Sequence, residues 1–230
     1  MTSVTNPPSR SKLVAYLLPM GVFMGLLILP PALKTLGDAF WLKSPEYWLY
    51  PLQTLACGAL LIWFWRQYDF HRLRGVIFTL AVAVAVFVLW ISPQAFFGFA
   101  PRTEGFNPTT FAGEPAAYWS TVLLRFLRLV IVVPLVEEIF WRGLLLRYFI
   151  NEKFDEVPFG TFSWLSFAVV TIGFTFAHSS ADWAAAAATG VLYNLVAYRT
   201  KSLAACVVAH AVTNLLLGIW IMNTKQWGFW

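Results

Sequence analysis

Six stretches of this chain contain no Asp, Glu, Lys or Arg, and short polar connections separate them. The uncharged stretches cover residues 13–33, 47–65, 75–100, 157–177, 183–198 and 202–224. Most of them reach the roughly 20 residues that a helix rising about 1.5 Å per residue needs to cross a hydrocarbon core. The pattern therefore predicts membrane-spanning α-helices rather than a fold that faces water.

A seventh apolar segment, residues 119–149, is interrupted by charged residues. These are Arg125, Arg128, Glu137, Glu138, Arg142 and Arg147. We therefore expect an all-α, polytopic transmembrane helical bundle of about seven spans, with a polar cavity among the last four. Residues 1–118 would form an N-terminal three-span region and residues 119–230 a core of four spans, both within one integral bundle.

The composition supports a membrane protein, since 59% of the residues are hydrophobic and only 12% are charged. The net charge of +5 lies in small clusters between apolar runs, which indicates membrane orientation and argues against nucleic acid as a partner. Most basic residues lie in connections on the same side of the membrane as the N-terminus. We therefore expect the N-terminus in the cytoplasm and the C-terminus outside. The first apolar run is expected to be a membrane anchor that is not cleaved off. Cys57 and Cys206 lie in apolar runs and are expected to be reduced packing residues.

The two adjacent glutamates need a physical reason, because an ionisable group at membrane depth costs about 2.5–3.5 kcal/mol on insertion scales. On a helix they point about 100° apart. Arg142 follows Glu138 by four residues, on the same face and in the favourable order. We therefore expect Glu138 to form the ion pair and Glu137 to face a cavity. The alternative is that both glutamates merely pair with arginines near the membrane interface.

Two histidines also lie in apolar runs. His178 ends the fifth run, and His210 lies in the last run with Asn214 one helical turn later. Phe174, four residues before His178, is expected to pack in the core. A carboxylate and an imidazole around one water can perform general-base chemistry, while an imidazole N–H and an amide can donate to an oxyanion. The alternative is that both histidines only pack or form hydrogen bonds.

A zinc site is a second alternative, in which Glu137, His178 and His210 supply three ligands and water the fourth. The chain has no H-E-x-x-H motif, so the signal for a metal is weak. The preferred interpretation needs no cofactor.

Residues 137–142, 174–178 and 210–214 resemble, in order, the E-E-x-x-x-R, F-x-x-x-H and H-x-x-x-N motifs of the CPBP family. That family contains the type II CAAX prenyl endopeptidases and bacteriocin-immunity relatives. Each motif is weak alone, but here each falls in a separate apolar run, and the resemblance covers about residues 119–223. The chain is also similar in size and layout to a bacterial subgroup linked to exosortase protein-sorting systems.

The resemblance implies an intramembrane endopeptidase in which Glu137 and His178 activate water. It assigns the oxyanion site to His210 and Asn214, with Glu138 and Arg142 in support. Its substrate would be a membrane-associated protein or peptide, reached among membrane lipids in a bacterial inner membrane. Two other functions stay open, a non-catalytic immunity or chaperone-like membrane factor and a proton-coupled transporter. The paired repeats typical of many transporters are absent from the sequence.

The depth of the two water-activating residues poses a problem. Glu137 lies past the middle of the fourth span, whereas His178 ends the fifth run at the far side of the membrane. They meet if the fifth helix begins near Trp164 and continues through Ser179 and Ser180. The sixth span would then be shorter or partly re-entrant.

Overall fold

The computed structural model describes residues 10–230, and that part of the chain consists of helices and connecting loops without a strand. Its seven principal helices are α1 Arg10–Leu27, α2 Glu46–Trp63, α3 Val76–Phe96, α4 Pro115–Tyr148, α5 Trp164–Phe176, α6 Trp183–Thr200 and α7 Leu203–Thr224. Shorter helical pieces are Leu29–Leu33, Phe40–Lys43, Trp65–Gln67, Pro108–Phe111, Ser180–Asp182 and Trp227–Phe229. The predicted all-α bundle is confirmed, and each principal helix lies where an apolar segment predicted one.

Four stretches of the described chain are long and apolar enough to cross a bilayer. They are Ser11–Leu33, Val76–Phe96, Pro115–Tyr148 and Leu203–Thr224. α5 is apolar but has only 13 residues, whereas α2 and α6 reach 18 residues with more polar and aromatic side chains. Large apolar side chains such as Ile62 and Ile77 are exposed, while the charged residues inside α4 are buried. An apolar exterior around buried charges is typical of an integral membrane protein, and this chain is one.

Two wider, π-helical stretches interrupt α4 on either side of the glutamate pair, at Arg128–Val132 and Ile139–Leu145. In the first stretch the N–H of Val133 bonds to the carbonyl of Arg128, five residues back. The donor that would serve Leu129 in the same way belongs to Pro134, which has no N–H. The carbonyl of Leu129 instead accepts a hydrogen bond of 2.9 Å from Nδ2 of Asn214. The interruption therefore ties α4 to α7 beside the glutamates.

The short α5 brings His178 to the depth of Glu137. The hydroxyl of Ser166 donates to the carbonyl of Leu146, so α5 begins beside the end of α4. From this common end, the 13 residues of α5 rise about 20 Å. The part of α4 from Glu137 to Tyr148 rises about 17 Å over the same depth. The two predicted residues therefore lie at similar levels in the bundle.

The prediction for α5 was right at its start and wrong at its end. The helix begins at Trp164, but it ends at Phe176 and does not continue through Ser179 and Ser180. The chain turns instead into the short helix Ser180–Asp182. α6 keeps 18 residues, so the expected shortening of the sixth span is wrong as well. An early end of α5, rather than a longer helix, resolves the difference in depth.

Helices from both sides of residue 118 pack together. A Cβ atom on Gly143 of α4 would lie 2.9 Å from the ring of Tyr16 in α1, so these two helices are in close contact. On the other side of the bundle, Oγ1 of Thr213 in α7 lies 3.0 Å from the carbonyl oxygen of Ala83 in α3. The described chain thus forms one bundle, and the boundary at residue 118 stays a prediction.

Candidate active site

A cavity of about 450 Å³ lies among α3, α4, α5, α6 and α7. Five predicted site residues line it: Glu137, Phe174, His178, His210 and Asn214. The other two, Glu138 and Arg142, do not line it and are completely buried. The structure therefore brings the three separate motifs together in one space.

Glu138 holds two partners with a single carboxylate oxygen. Its Oε1 accepts a hydrogen bond of 3.0 Å from Nη1 of Arg142 and lies 2.9 Å from Nδ1 of His210. The ion pair predicted from the spacing of four residues is therefore present, and both of its side chains are 0% exposed. Oε2 of Glu138 has no partner in the described chain, but its burial keeps it away from the cavity. His210, 72 residues away in sequence, is the partner that spacing alone did not identify.

Arg142 is anchored on every side of its guanidinium group. Nε donates to Oδ1 of Asn194 at 3.1 Å, and Nη2 donates to the carbonyl of Gly190 at 3.3 Å. The same group lies over the rings of Phe174 and Tyr193, at 4.8 and 5.4 Å from their centroids. Such contacts hold a buried cation in one position and stabilise it. Phe174 therefore does more than pack in the core, because it covers the arginine and also lines the cavity.

Glu137 is in a different position from its neighbour. Its side chain reaches the cavity, and its buried Oε2 has no hydrogen-bond partner in residues 10–230. Arg128, on the preceding turns of α4, is close enough to interact with it electrostatically. A carboxylate with an unshared oxygen at a cavity wall can accept a proton from a water molecule. The expectation that Glu137 faces a cavity is confirmed.

His178 is held through one ring nitrogen, two residues beyond the end of α5. Its Nδ1 lies 2.8 Å from the carbonyl oxygen of Phe174. A carbonyl can only accept, so we assign the hydrogen to Nδ1, which leaves a lone pair on Nε2 of the neutral ring. The ring packs beside those of Phe174 and Trp90, with centroids 4.7 and 5.7 Å away. This arrangement fixes the ring plane and leaves one nitrogen with base character.

His210 and Asn214 lie one turn apart on α7, and one polar group of each side chain is already in contact with another protein group. Nδ1 of His210 faces Glu138, so only Nε2 is left, and it donates a hydrogen bond only in the imidazolium form. Asn214 uses one amide hydrogen on the carbonyl of Leu129 and retains a second one. Asn214 is therefore the simpler donor to an oxyanion in this cavity.

Polar residues from two loops and the end of the chain close one side of the cavity. Nη1 of Arg102 donates to Oδ1 of Asp182 at 2.7 Å, and its guanidinium lies 4.4 Å from the ring centroid of Phe229. The hydroxyl of Ser179 donates to Oδ2 of the same aspartate at 2.6 Å. Because Ser179 directly follows His178, this ion pair also helps to fix the loop that carries the histidine.

Sequence reasoning missed several residues of the site. Trp90 of α3 lines the cavity and donates to Oγ1 of Thr189 at 2.9 Å. Tyr193 also lines it, packing against the ring of His210 and donating to Thr213 at 2.8 Å. Asn194, which holds Arg142, is completely buried in an apolar helix. A polar residue in an apolar run was the available signal for Asn194, whereas nothing local distinguishes Trp90.

The zinc alternative needs three ligands that converge. Among residues 10–230, no three His, Cys, Asp or Glu side chains are grouped so that they could hold a metal ion. The proposed ligands Glu137, His178 and His210 line the same cavity, and the contacts of Nδ1 in both histidines leave Nε2 as the nitrogen that a metal would use. Their three side chains are not grouped closely enough in this arrangement to fit a zinc site.

Comparisons with known proteins agree with the site. Residues 118–216, which contain all seven predicted site residues, match the model of a family described as Type II CAAX prenyl endopeptidase Rce1-like. The UPF0177 protein YaiH of Lactococcus lactis subsp. lactis (strain IL1403) is 24% identical over 151 residues, covering 64% of this chain and 57% of that relative. The match thus extends over little more than half of the relative's length. No solved structure matches this chain.

The family match confirms the resemblance that the three motifs indicated, while the closer likeness to an exosortase-linked subgroup stays a prediction. The segment 118–216 contains the glutamate pair, His178, His210 and Asn214. Over residues 118–216, this membrane protein is therefore similar to the Rce1-like type II CAAX prenyl endopeptidase family.

Proposed function

We propose that this chain is an intramembrane endopeptidase that hydrolyses peptide bonds of membrane-associated proteins or peptides, using water activated by Glu137 and His178. One observation carries the proposal. Glu137 lines the cavity with a carboxylate whose buried Oε2 has no hydrogen-bond partner, and the same cavity is lined by His178, whose Nδ1 is bound to a backbone carbonyl. The family match supports proteolysis as the class of reaction.

In the first step Glu137 takes a proton from water, and the oxygen of that water attacks the carbonyl carbon of the substrate amide. Nε2 of His178 accepts the second hydrogen of the water as a hydrogen bond and so orients it. The electron pair of the carbonyl double bond moves to its oxygen. The free amide hydrogen of Asn214 stabilises that oxyanion, with help from His210 in its imidazolium form.

In the second step the oxyanion re-forms the carbonyl group and the carbon–nitrogen bond breaks. The proton held by Glu137 passes to the leaving nitrogen, which departs as an amine. A carboxylic acid remains on the other product, and Glu137 returns to its carboxylate form. Glu138 and Arg142 do not touch the substrate in this scheme, and they hold His210 in position.

The mechanism uses no metal ion, and zinc content is tested separately. Elemental analysis of the purified wild-type chain is expected to find less than stoichiometric zinc, and proteolysis should survive treatment with a chelator. Stoichiometric zinc that is lost in both His178→Ala and His210→Ala would contradict this part of the proposal.

We also propose that the chain lies in a bacterial inner membrane with its N-terminus in the cytoplasm, as the distribution of basic residues favours. Arg102, Asp182 and the segment Trp227–Phe229 would then face outward. Cys57 and Cys206 are buried, so Lys225→Cys introduces an accessible thiol. A membrane-impermeant maleimide should label it from outside intact cells, whereas labelling only after lysis would reverse the orientation.

Proteolysis is tested by comparing the membrane proteomes of cells that carry the wild-type chain or Glu137→Gln. New peptide termini are expected in the wild-type cells and absent from the variant, since glutamine cannot take a proton from water. A synthetic peptide that spans the identified cleavage site then gives rates for the purified proteins, and His178→Ala should be similarly impaired. Glu114→Gln is the matched control, because Glu114 is exposed in a loop outside the cavity.

Undiminished cleavage by Glu137→Gln, in protein that unfolds at the same temperature as the wild type, would overturn the assignment. A cellular phenotype that persists in this variant would instead favour a non-catalytic binding factor.

A further inference from the structure

A second cavity, of about 180 Å³, lies between α2 and α4. It shares no lining residue with the active-site cavity. Tyr47 and Tyr50 of α2 form one wall, and Ser120 and Thr121 of α4 contribute hydroxyl groups to another. Arg125 is the one charged residue in its lining. The cavity therefore combines a cation with hydroxyl groups and aromatic rings.

Arg125 is buried without an anionic partner. Its side chain is 3% exposed, and its Nε and Nη1 atoms have no hydrogen-bond partner in the described chain. No carboxylate of residues 10–230 forms an ion pair with it. Its contacts are with aromatic residues: the rings of Tyr50 and Phe106 lie 4.6 and 5.0 Å away, and the hydroxyl of Tyr50 interacts with the guanidinium group. These contacts leave the N–H groups of Nε and Nη1 without an acceptor, because aromatic faces do not accept in-plane hydrogen bonds.

The other buried arginines of α4 show what Arg125 lacks. Arg142 pairs with Glu138, Arg147 donates to the carbonyl of Gly143, and Nε of Arg128 donates to Oε1 of Gln53 at 2.7 Å. Arg128 lies one turn after Arg125, but it also interacts with the carboxylate of Glu137. An anion in the cavity would satisfy the free N–H groups of Arg125 and compensate its charge.

The surroundings of the cavity identify the side from which a ligand arrives. Leu52, Trp119 and Leu123, on the same two helices, are exposed apolar residues, as expected for a surface in contact with lipid. α4 has 34 residues and is about 51 Å long, roughly 20 Å more than a hydrocarbon core. Arg125 lies about 15 Å from the Pro115 end, so its long side chain can reach the headgroup region. Tyrosines are common at that depth.

We propose that this cavity binds the phosphate group of an anionic membrane lipid. The free N–H groups of Arg125 donate to phosphate oxygens, and the hydroxyls of Ser120 and Thr121 provide further donors. The acyl chains lie along the exposed apolar residues of α2 and α4. The ligand is a structural lipid in this proposal and takes no part in the hydrolytic step.

The test measures thermal unfolding of the purified full-length chain in detergent, with phosphatidylglycerol, phosphatidylcholine or inorganic phosphate added. Phosphatidylglycerol at about 100 times its dissociation constant is expected to raise the unfolding midpoint by about 5–10 °C. Phosphatidylcholine and inorganic phosphate should give much smaller shifts. Native mass spectrometry should show one retained phosphatidylglycerol per chain.

Two variants remove the site by different means. Arg125→Gln deletes the cation, and Ala117→Phe fills the cavity while keeping the arginine. Both should lose the shift caused by phosphatidylglycerol. Arg74→Gln is the matched control, because it removes an exposed positive charge that lines a separate cavity, and it should retain the full shift.

Equal shifts with phosphatidylcholine would overturn the proposal, as would a full shift in Ala117→Phe or a lost shift in Arg74→Gln. An equal shift with inorganic phosphate would also contradict it, because the ligand would then be a free anion rather than a lipid. The wild-type comparison decides between these outcomes even if Arg125→Gln does not fold.

Discussion

Glu137 and Glu138 are joined by one peptide bond, but α4 turns them toward different neighbours. Glu138 is completely buried and compensated by Arg142 and His210. Glu137 lines the cavity, and its Oε2 has no hydrogen-bond partner in the described chain. The difference shows how one helical turn can place one carboxylate in a sealed environment and the next in the lining of a cavity. It supports the proposal that Glu138 holds the site together while Glu137 performs the chemistry.

The strongest way to break this comparison is to neutralise each glutamate in turn and measure stability. Glu138→Gln leaves the buried guanidinium of Arg142 without its counter-charge, and we expect a loss of about 3–5 kcal/mol in the free energy of unfolding. Glu137→Gln should cost far less, because Glu137 forms no ion pair within residues 10–230. Unfolding by sodium dodecyl sulfate in mixed micelles, followed by circular dichroism, gives both values. Similar losses in the two variants would remove the distinction.

Asn214→Ala tests the cavity side of the comparison through activity. Loss of an oxyanion donor is expected to lower the turnover number by about 10²- to 10³-fold while leaving KM nearly unchanged. The carbonyl of Leu129 also loses its partner, so a stability loss of about 1–3 kcal/mol should accompany it. Asn223→Ala is the control on the same helix, since Asn223 is exposed and bonds only to the carbonyl of Ile219. A fall in activity no larger than in this control would contradict the oxyanion role.

Asn194→Ala tests how the buried Arg142, the partner of Glu138, is held in place. The substitution leaves Nε of Arg142 without its acceptor and should destabilise the protein by about 1–3 kcal/mol. Thr171→Val removes only the contact at the other end of Asn194 and should cost about 0.5–1.5 kcal/mol. The same micelle titration measures both. A larger effect of Thr171→Val would mean that Asn194 serves helix packing more than it serves the arginine.

The smallest effect is expected at Gly190, whose carbonyl is the most distant acceptor of Arg142. A new Cβ there would lie 3.4 Å from Thr171, an ordinary contact, and the helix gains about 0.5–1 kcal/mol from alanine. Gly190→Ala should therefore be close to neutral. Gly143→Ala should instead cost about 1–3 kcal/mol, because its Cβ would lie 2.9 Å from the buried ring of Tyr16. Unfolding midpoints of the two variants compare these cases directly.

Local spacing was enough to predict part of the site. Residues four apart on a helix face one another, so the pair Glu138–Arg142 followed from the sequence and is present. The contact between His178 and the carbonyl of Phe174 also lies within one motif. The partner of Glu138 on α7, in contrast, is 72 residues away. Its identity depends on how α4 and α7 are rotated against each other, which no local spacing specifies.

The depth of His178 is a second property that local sequence did not predict correctly. The apolar run at residues 157–177 ends within one residue of α5, whereas the wrong extension through Ser179 and Ser180 came from the need to bring His178 to the depth of Glu137. Trp90 and Arg102 are further cases, because they reach the cavity from α3 and from a loop. Ordinary residues of this kind become part of a site only through packing.

By itself, the sequence determined that the chain is a helical membrane protein, where its helices lie, and which three motifs carry its polar groups. Those properties follow from hydrophobic length and from contacts within a turn, which are local. Only the tertiary structure decided that His210 is the second partner of Glu138 and that His178 lines the same cavity as Glu137. That outcome depends on the length of α5 and on the rotation of packed helices, and both are set by contacts between residues far apart in the chain.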